Sequence, residues 1–407
     1  MNVFGLSWRY LWSRPLATAL NLLLLALGLA SMAFVLIARD QMDRAFERDL
    51  AGIDVVVGAK GSPMQLILAG VFHIDVPPGN IPLAEVQRLV QHPQVAKLIP
   101  LSLGDNVRGF RIVGTTPDYA AHYGVQVAQG NLWSGSMQAV LGAQVASSTG
   151  LQTGQAFEGA HGLGAGGAKH GETPYTVSGV LAPCSCVIDR LVLTATESVW
   201  RVHDDMHTDD HMDEAERLEL AQALADQREV TLALITYNTP MAAVSFPRFI
   251  NSTTSMQAAA PAVEITRLLG MVGVGTQVLQ GLAVVLLGVA ALSVFIALWG
   301  AVRERRGDLA MLRMLGAPAA RVAMLLLCEA VWLAALACVL GLLLAHGLAG
   351  LLGALLMDSQ PLAIHAWQWV PAEGWVPVLA LGVAVVAALV PVVSAYRVDV
   401  SQLLNSR

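Results

Sequence analysis

Polar and apolar positions give the chain two textures. Residues 16–38 run for 23 positions without a charge, and 268–301, 322–357 and 374–396 are runs of the same kind, in which Glu329 is the one carboxylate. At about 1.5 Å per residue a 23-residue helix covers roughly 35 Å, enough for a bilayer core. Four membrane-spanning helices are predicted. Between the first two, residues 39–267 read differently: apolar runs are short, Gly and Pro are frequent, and β-branched residues cluster. Residues 40–50 continue the first span as a helical stalk with charges all round. Strands are predicted at 53–57 (closed by Gly58-Ala59-Lys60-Gly61), 95–100, 107–114, 175–181, 191–196 and 231–237. Helices are predicted at 83–91 behind Pro82, at 143–150 and near 241–252, with another opened by Thr196 or Ser198. Strands alternating with helices make this an α/β or α+β domain. The expected fold is thus an α-helical membrane protein of four transmembrane helices, with a large α+β domain inserted between the first and second. The segments are 1–38, 39–267 and 268–407.

Composition agrees with this division. Hydrophobic residues make up 55% of the chain and charged ones 13%, too apolar for an ordinary soluble protein. Charge then orients the spans. Arg9 and Arg14 precede the first, Arg397 and Arg407 follow the last, and Arg303, Arg305, Arg306, Arg313 and Arg321 crowd the connection between the second and third. The connection at 358–373 has no Lys or Arg. Both termini and the 302–321 loop are therefore expected in the cytoplasm, with 39–267 and 358–373 outside. The outer segment holds 15 basic and 24 acidic residues against nine basic and three acidic in the inner pieces, so the net charge of −6 hides two opposite faces. No basic stripe points to nucleic acid. The first span is longer than a signal-peptide core and lacks a clear A-x-A site before Arg39-Asp40-Gln41, which reads as a retained anchor.

The connection at 303–316 reads Arg-Glu-Arg-Arg-Gly-Asp-Leu-Ala-Met-Leu-Arg-Met-Leu-Gly. Leu309, Leu312 and Leu315 recur at helical spacing, as on a helix lying along the membrane surface. Charge alone would make it a basic membrane loop. The order Arg-Arg-x-Asp-Leu-Ala-x-Leu-Arg-x-Leu-Gly-Ala is more specific, and resembles the coupling segment of the FtsX-like, MacB-type ABC transporter permeases, a mechanotransmission family that includes the lipoprotein-release permeases. The stretches Ala139-Val-Leu-Gly-Ala-Gln-Val-Ala146, Thr149-Gly-Leu-Gln-Thr-Gly154 and Val177-Ser-Gly-Val180 resemble the periplasmic core domain of the same family.

That resemblance implies a non-catalytic permease subunit in a bacterial inner membrane, with a periplasmic domain of porter and sabre subdomains. It implies a dimer of two copies, or of this chain and a paralogue, bound to a separate ABC ATPase that carries ATP and Mg. A periplasmic adaptor or substrate protein and membrane lipids would be further partners, and the substrate a lipoprotein, lipid, peptide or small amphiphile. It also implies that Arg305, Arg306, Asp308, Leu309, Leu312, Arg313, Leu315 and Gly316 form the ATPase-coupling site. An FtsX-type scaffold that activates a periplasmic enzyme such as a cell-wall hydrolase is the alternative, and a metal sensor or exporter a third reading.

Other constellations are weaker. Gly52…Gly58-Ala-Lys60-Gly61-Ser62 misses the P-loop spacing and reads as a turn. Glu329, inside the third span, either snorkels or ties that span to the coupling segment or to a dimer partner. His203, His207 and His211 are spaced by four in a very acidic stretch and would form an imidazole stripe for zinc or copper on a helix; a solvated loop is the competing reading. His161, His170 and the pair Cys184 and Cys186 would be additional ligands, though an oxidising compartment also permits a disulfide between those cysteines. Cys328 and Cys338 read as packing residues. Gly341, Gly347, Gly350 and Gly353 leave small surfaces for close helix approach, and Asn21 is a candidate interhelical hydrogen-bonding group. No catalytic triad can be assembled.

Overall fold

The computed structural model describes residues 3–162, 173–205, 228–305, 307, 311, 313–356 and 367–396. It begins with a short amphipathic helix, α1 (Val3–Leu11), followed by α2 (Pro15–Leu50), which runs unbroken through the first apolar stretch and the charged stretch after it. Pro15 suits the start of α2, where no amide partner is needed. The chain divides into two units: Met1–Asp43 with Met271–Arg407, and Arg44–Gly270.

The second unit is the α+β domain. Its strands are β1 (Val55–Ala59), β2 (Ile81–Pro82), β3 (Val95–Val107), β4 (Phe110–Thr115), β5 (Val127–Gly130), β6 (Gln138–Leu141), β7 (Ala156–Phe157), β8 (Ala160–His161), β9 (Tyr175–Leu181), β10 (Leu191–Ala195), β11 (Glu229–Val230), β12 (Leu232–Tyr237) and β13 (Met256–Ala259). The helices are α3 (Pro63–Gly70), α4 (Leu83–Val90), α5 (Asp118–His122), α6 (Ala143–Thr149), α7 (Thr196–Asp205) and α8 (Ala242–Thr253). Among the described residues the main sheet has the order β13-β1-β12-β3-β4-β10-β6-β9-β5, with β7 on β9 and β8 on β3, while β2 and β11 pair separately. Among the described strands only β4 with β10 and β6 with β9 run parallel.

β3 joins the halves of this sheet. Its residues 95–101 pair with β12, and 102–107 pair with β4. The sequence predicted separate strands at 95–100 and 107–114; the structure corrects both. Pro100 does not end β3, because the Leu101 carbonyl accepts the Thr231 amide just before β12 and Pro100 therefore faces the other side, where β4 has not yet begun to pair. The missing amide costs no ladder bond there. The real break is Arg108-Gly109, both at positive φ, a two-residue hairpin turn that glycine makes easy.

Strand alternation sorts the core into layers. One face of the sheet is continuous, with Val56, Leu101, Val113, Val140, Leu193 and Leu232 packed under α3, α5 and the stalk residues Phe46 and Leu50. The other face is split. Val55, Val57, Ala233 and Ile235 pack against α4 and α8, while Ile112, Ala139, Leu141 and Val192 pack against α6 and α7.

The first unit adds α9 (Pro261–Glu304), α10 (Ala319–Leu356) and α11 (Trp375–Tyr396), and with α2 these are the four transmembrane helices. Their shared core is rich in alanine: Ala26, Ala33, Ala290, Ala334, Ala337, Ala384 and Ala388 are all buried. Small side chains let the backbones approach. A β-carbon on Gly341 of α10 would stand 3.0 Å from the Ala26 carbonyl oxygen and from Leu29 of α2, whereas one on Gly347 would meet nothing within 4 Å. Asn21 accepts a hydrogen bond from Ser293 at 2.6 Å, tying α2 to α9. Large apolar side chains such as Leu282, Val285, Leu292 and Ile296 point outward from α9.

Candidate functional site

Where α9 ends, four pieces of the helical unit meet. The amphipathic turns of α1 lay Trp8 edge-on against Trp332 of α10, ring centroids 5.1 Å apart. The bend between α1 and α2 is closed by Thr18, whose hydroxyl donates to the Leu11 carbonyl at 2.6 Å. That bend presents Tyr10 and Ser13 to Arg305, the residue just past α9. Arg305 Nη2 donates to the Tyr10 carbonyl at 3.2 Å and to Ser13 Oγ at 2.6 Å, and its guanidinium lies 4.4 Å from the centre of the Tyr10 ring. Its Nη1 stands 3.5 Å from Glu329 Oε1 on α10. The two side chains are only 13% and 7% exposed. A second ion pair, Arg14 with Glu304, lies nearer the surface. Glu329 Oε2 has no hydrogen-bond partner among the described residues.

Arg305 therefore points inward, toward α1 and α10. A guanidinium offers five donors in a rigid plane, and that geometry ties the end of α9 to α1, to Ser13 of the bend and to α10. Glu329 pairs with Arg305 of the 303–316 segment, one of the roles open to it from the sequence. The rest of the segment looks outward as far as it is described. Met311 and Met314 are exposed and Leu315 is 80% exposed, while Arg313 is partly buried. Positions 311, 314 and 315 share one helical face. The turn closes as the Leu315 amide bonds to the Met311 carbonyl and the Gly316 amide to that of Arg313, with Gly316 at φ 91, an αL ending that suits glycine. Arg306, Asp308, Leu309 and Leu312 lie outside the described residues.

The sequence reading missed another pair in this unit. His346 Nε2 of α10 lies 3.0 Å from Glu373 Oε2, and Glu373 Oε1 accepts the Val370 amide, with Glu373 fully buried in the 3₁₀ turn Pro371–Gly374 just before α11. Glu373 closes the connection at 358–373 that loop charge put outside; the one available signal was a lone His in an apolar run.

In the α+β domain, Cys184 and Cys186 form a disulfide, so neither offers a thiolate to a metal. The 3₁₀ turn Val187–Arg190 follows it. Asp189 accepts the Cys184 and Ser185 amides at 3.0 and 2.7 Å, and Asp49 at the end of α2 accepts the Val187 amide at 3.2 Å. Burial pushes the Asp49 carboxyl up to about 6, with Arg48 acting the other way. His73, at positive φ, bonds to the Tyr119 hydroxyl at 2.9 Å. Burial, and then the Arg111 charge, hold it down at about 3. His161 sits 3.5 Å from Asp105. His170, His207 and His211 fall outside the described residues, as does the side chain of His203, so the imidazole stripe has no geometry here. Lys60 and Gly61 form the turn between β1 and α3, the Gly61 amide 3.4 Å from Gln257.

Two family models cover nearly the whole chain. The MacB-like periplasmic core domain matches residues 18–264, and the FtsX-like permease C-terminal domain matches 281–400. This chain is an ABC permease of the FtsX and MacB type. The permease is similar in structure to the periplasmic region of MacB from Actinobacillus actinomycetemcomitans, with 11% identity, a TM-score of 0.34, and coverage of 54% of this chain and 95% of that one. It is also similar to the extracellular domain of the noncanonic ABC-type transporter YknZ from Gram-positive bacteria, with 11% identity, a TM-score of 0.30, and coverage of 50% and 98%. No curated protein matches the permease.

Proposed function

We propose that this permease is the membrane subunit of an ABC transporter whose separate ATPase docks on residues 303–316. Two copies, or this chain and a paralogue, would bind two ATPase subunits on the cytoplasmic side, where the positive-inside rule puts this loop and both termini. ATPase closure would move the loop, and with it the corner where Arg305 grips α1, the bend before α2, and α10. The long helices α2 and α9 would carry that movement to the α+β domain on the far side of the membrane. The cargo would be an amphiphile already at or beyond the outer leaflet: a lipoprotein, lipid, peptide or small molecule. The observation that carries this reading is the pairing of an inward anchor with an outward apolar row, Met311, Met314 and Leu315. Exposed apolar side chains in a basic segment fit a partner surface or a membrane face. The two differ in what a charge does. Leu315→Asp should cut co-purification of the ATPase about tenfold or more, as expected when an apolar anchor is replaced by a buried charge. The variant should still insert and export its domain. Full ATPase binding by Leu315→Asp would leave this loop a membrane-surface helix, and the coupling assignment would go.

A further inference from the structure

We propose that Cys184–Cys186 is a thiol–disulfide exchange site whose oxidised form fastens the end of the α2 stalk to the α+β domain, and which an external dithiol opens. The geometry puts the three-residue ring at a junction. On one side, Asp189 collects the Cys184 and Ser185 amides at 3.0 and 2.7 Å. On the other, Asp49 takes the Val187 amide at 3.2 Å, while Tyr123 donates its hydroxyl to the Asp49 carbonyl at 2.9 Å. Phe46 and Leu50, from the same last turns of α2, pack on the cluster that contains Cys186, Val187 and Ile188. The disulfide thus sets where three amides point, and one of the carboxylates they satisfy belongs to the stalk.

The ring is also open to attack. Ser185 is exposed and Cys184 half-buried, whereas Cys186 is buried. Ser185 is held at φ 54, a left-handed conformation that a non-glycine residue leaves readily once released. A dithiol thiolate would attack Cys184 Sγ, forming a mixed disulfide as the Cys184–Cys186 bond breaks. Cys186 would leave as a thiolate and take up a proton. The second thiol of the donor would then attack its own sulfur in the mixed disulfide, releasing Cys184, which takes up the second proton. Two electrons and two protons pass to the protein, and the donor leaves as a disulfide. Ser185 can then return to negative φ, the three amides no longer converge, and the Asp49 carboxylate loses its donor.

What this does for transport rests on the stalk's proposed role; the fastening itself does not, and is tested without the ATPase. The full-length protein in nanodiscs is treated with graded dithiothreitol, thiols are counted by maleimide tagging, and amide exchange is followed by mass spectrometry. Two thiols should appear while Cys328 and Cys338, buried in the helical unit, stay untagged. Exchange of residues 44–50 and 182–190 should then quicken about tenfold, with the strands β1, β3 and β12 unchanged, as for a local opening. A Cys184→Ser/Cys186→Ser double variant should match the reduced protein; if it does not fold, the reduction arm decides. Unaltered exchange at 44–50 after reduction would overturn the proposal. So would a disulfide that yields only when the whole sheet loses protection.

Discussion

Arg305 and Glu329 show how one side chain becomes structural by being charged in an apolar place. Both are largely buried, so removing one partner leaves the other desolvated and unpaired, at a cost of about 3 kcal/mol or more. Arg305→Met should therefore lower thermal stability in detergent more than the double variant Arg305→Met/Glu329→Leu. A double variant no better than the single would mean the pair is not coupled. Protonation offers a second test. His73 stays neutral in the fold at about 3 but takes a proton near 6.5 when unfolded, so its contribution is present above 6.5 and lost as the pH falls. Asp49 works in reverse: at about 6 in the fold against 3.8 outside it, it adds stability as the pH drops below 6. Between pH 7 and 5 these are opposing changes of similar size, on the order of 1 to 2 kcal/mol each. His122, lowered by burial, acts in the same sense as His73, and Asp189, raised by burial, in the same sense as Asp49. Wild type should change little over that range. His73→Asn, which tolerates positive φ, should become more stable at pH 5, and Asp49→Asn less so, by amide exchange of the sheet in the full chain. Sequence could flag Glu329 as costly; it could not say that Arg305, 24 positions away, turns inward.

At the scale of elements, what could be read depended on pattern strength. The four apolar runs were unmistakable, because nothing else needs twenty uncharged residues. β9, β12 and α4 followed from alternation or amphipathic spacing. α3 escaped because Leu66, Ile67, Ala69 and Gly70 are buried together, and an apolar octet shows no period that separates helix from strand. β13, Met-Gln-Ala-Ala, has little β preference, and takes its place through pairing with β1. α1 was hidden in what looked like the basic flank of a span. Helix contacts themselves give a further test. Gly341→Leu must push α10 off the α2 backbone and should destabilise the bundle by about 1 to 3 kcal/mol. Gly347→Ala, into open space, should be neutral or slightly stabilising in the same thermal assay.

For the whole molecule, orientation is the statement with most consequences, and loop charge is its warrant. A phosphatase reporter placed after Gly167 should be active outside the cytoplasm, and one after Arg306 should not; activity at the second site would invert the protein and put residues 303–316 out of reach of the proposed ATPase. The division between units was legible from texture, because membrane-buried and water-facing segments obey different composition rules. The unity of the α+β domain was not, since it depends on one strand that changes partners midway. Consider what β3 does under load. Traction on the β1–β12 half is borne along a backbone whose far end is already hydrogen-bonded into the β4–β10 half. The halves cannot slide past each other without breaking that strand's pairing on one side, so a displacement of either is shared by the other.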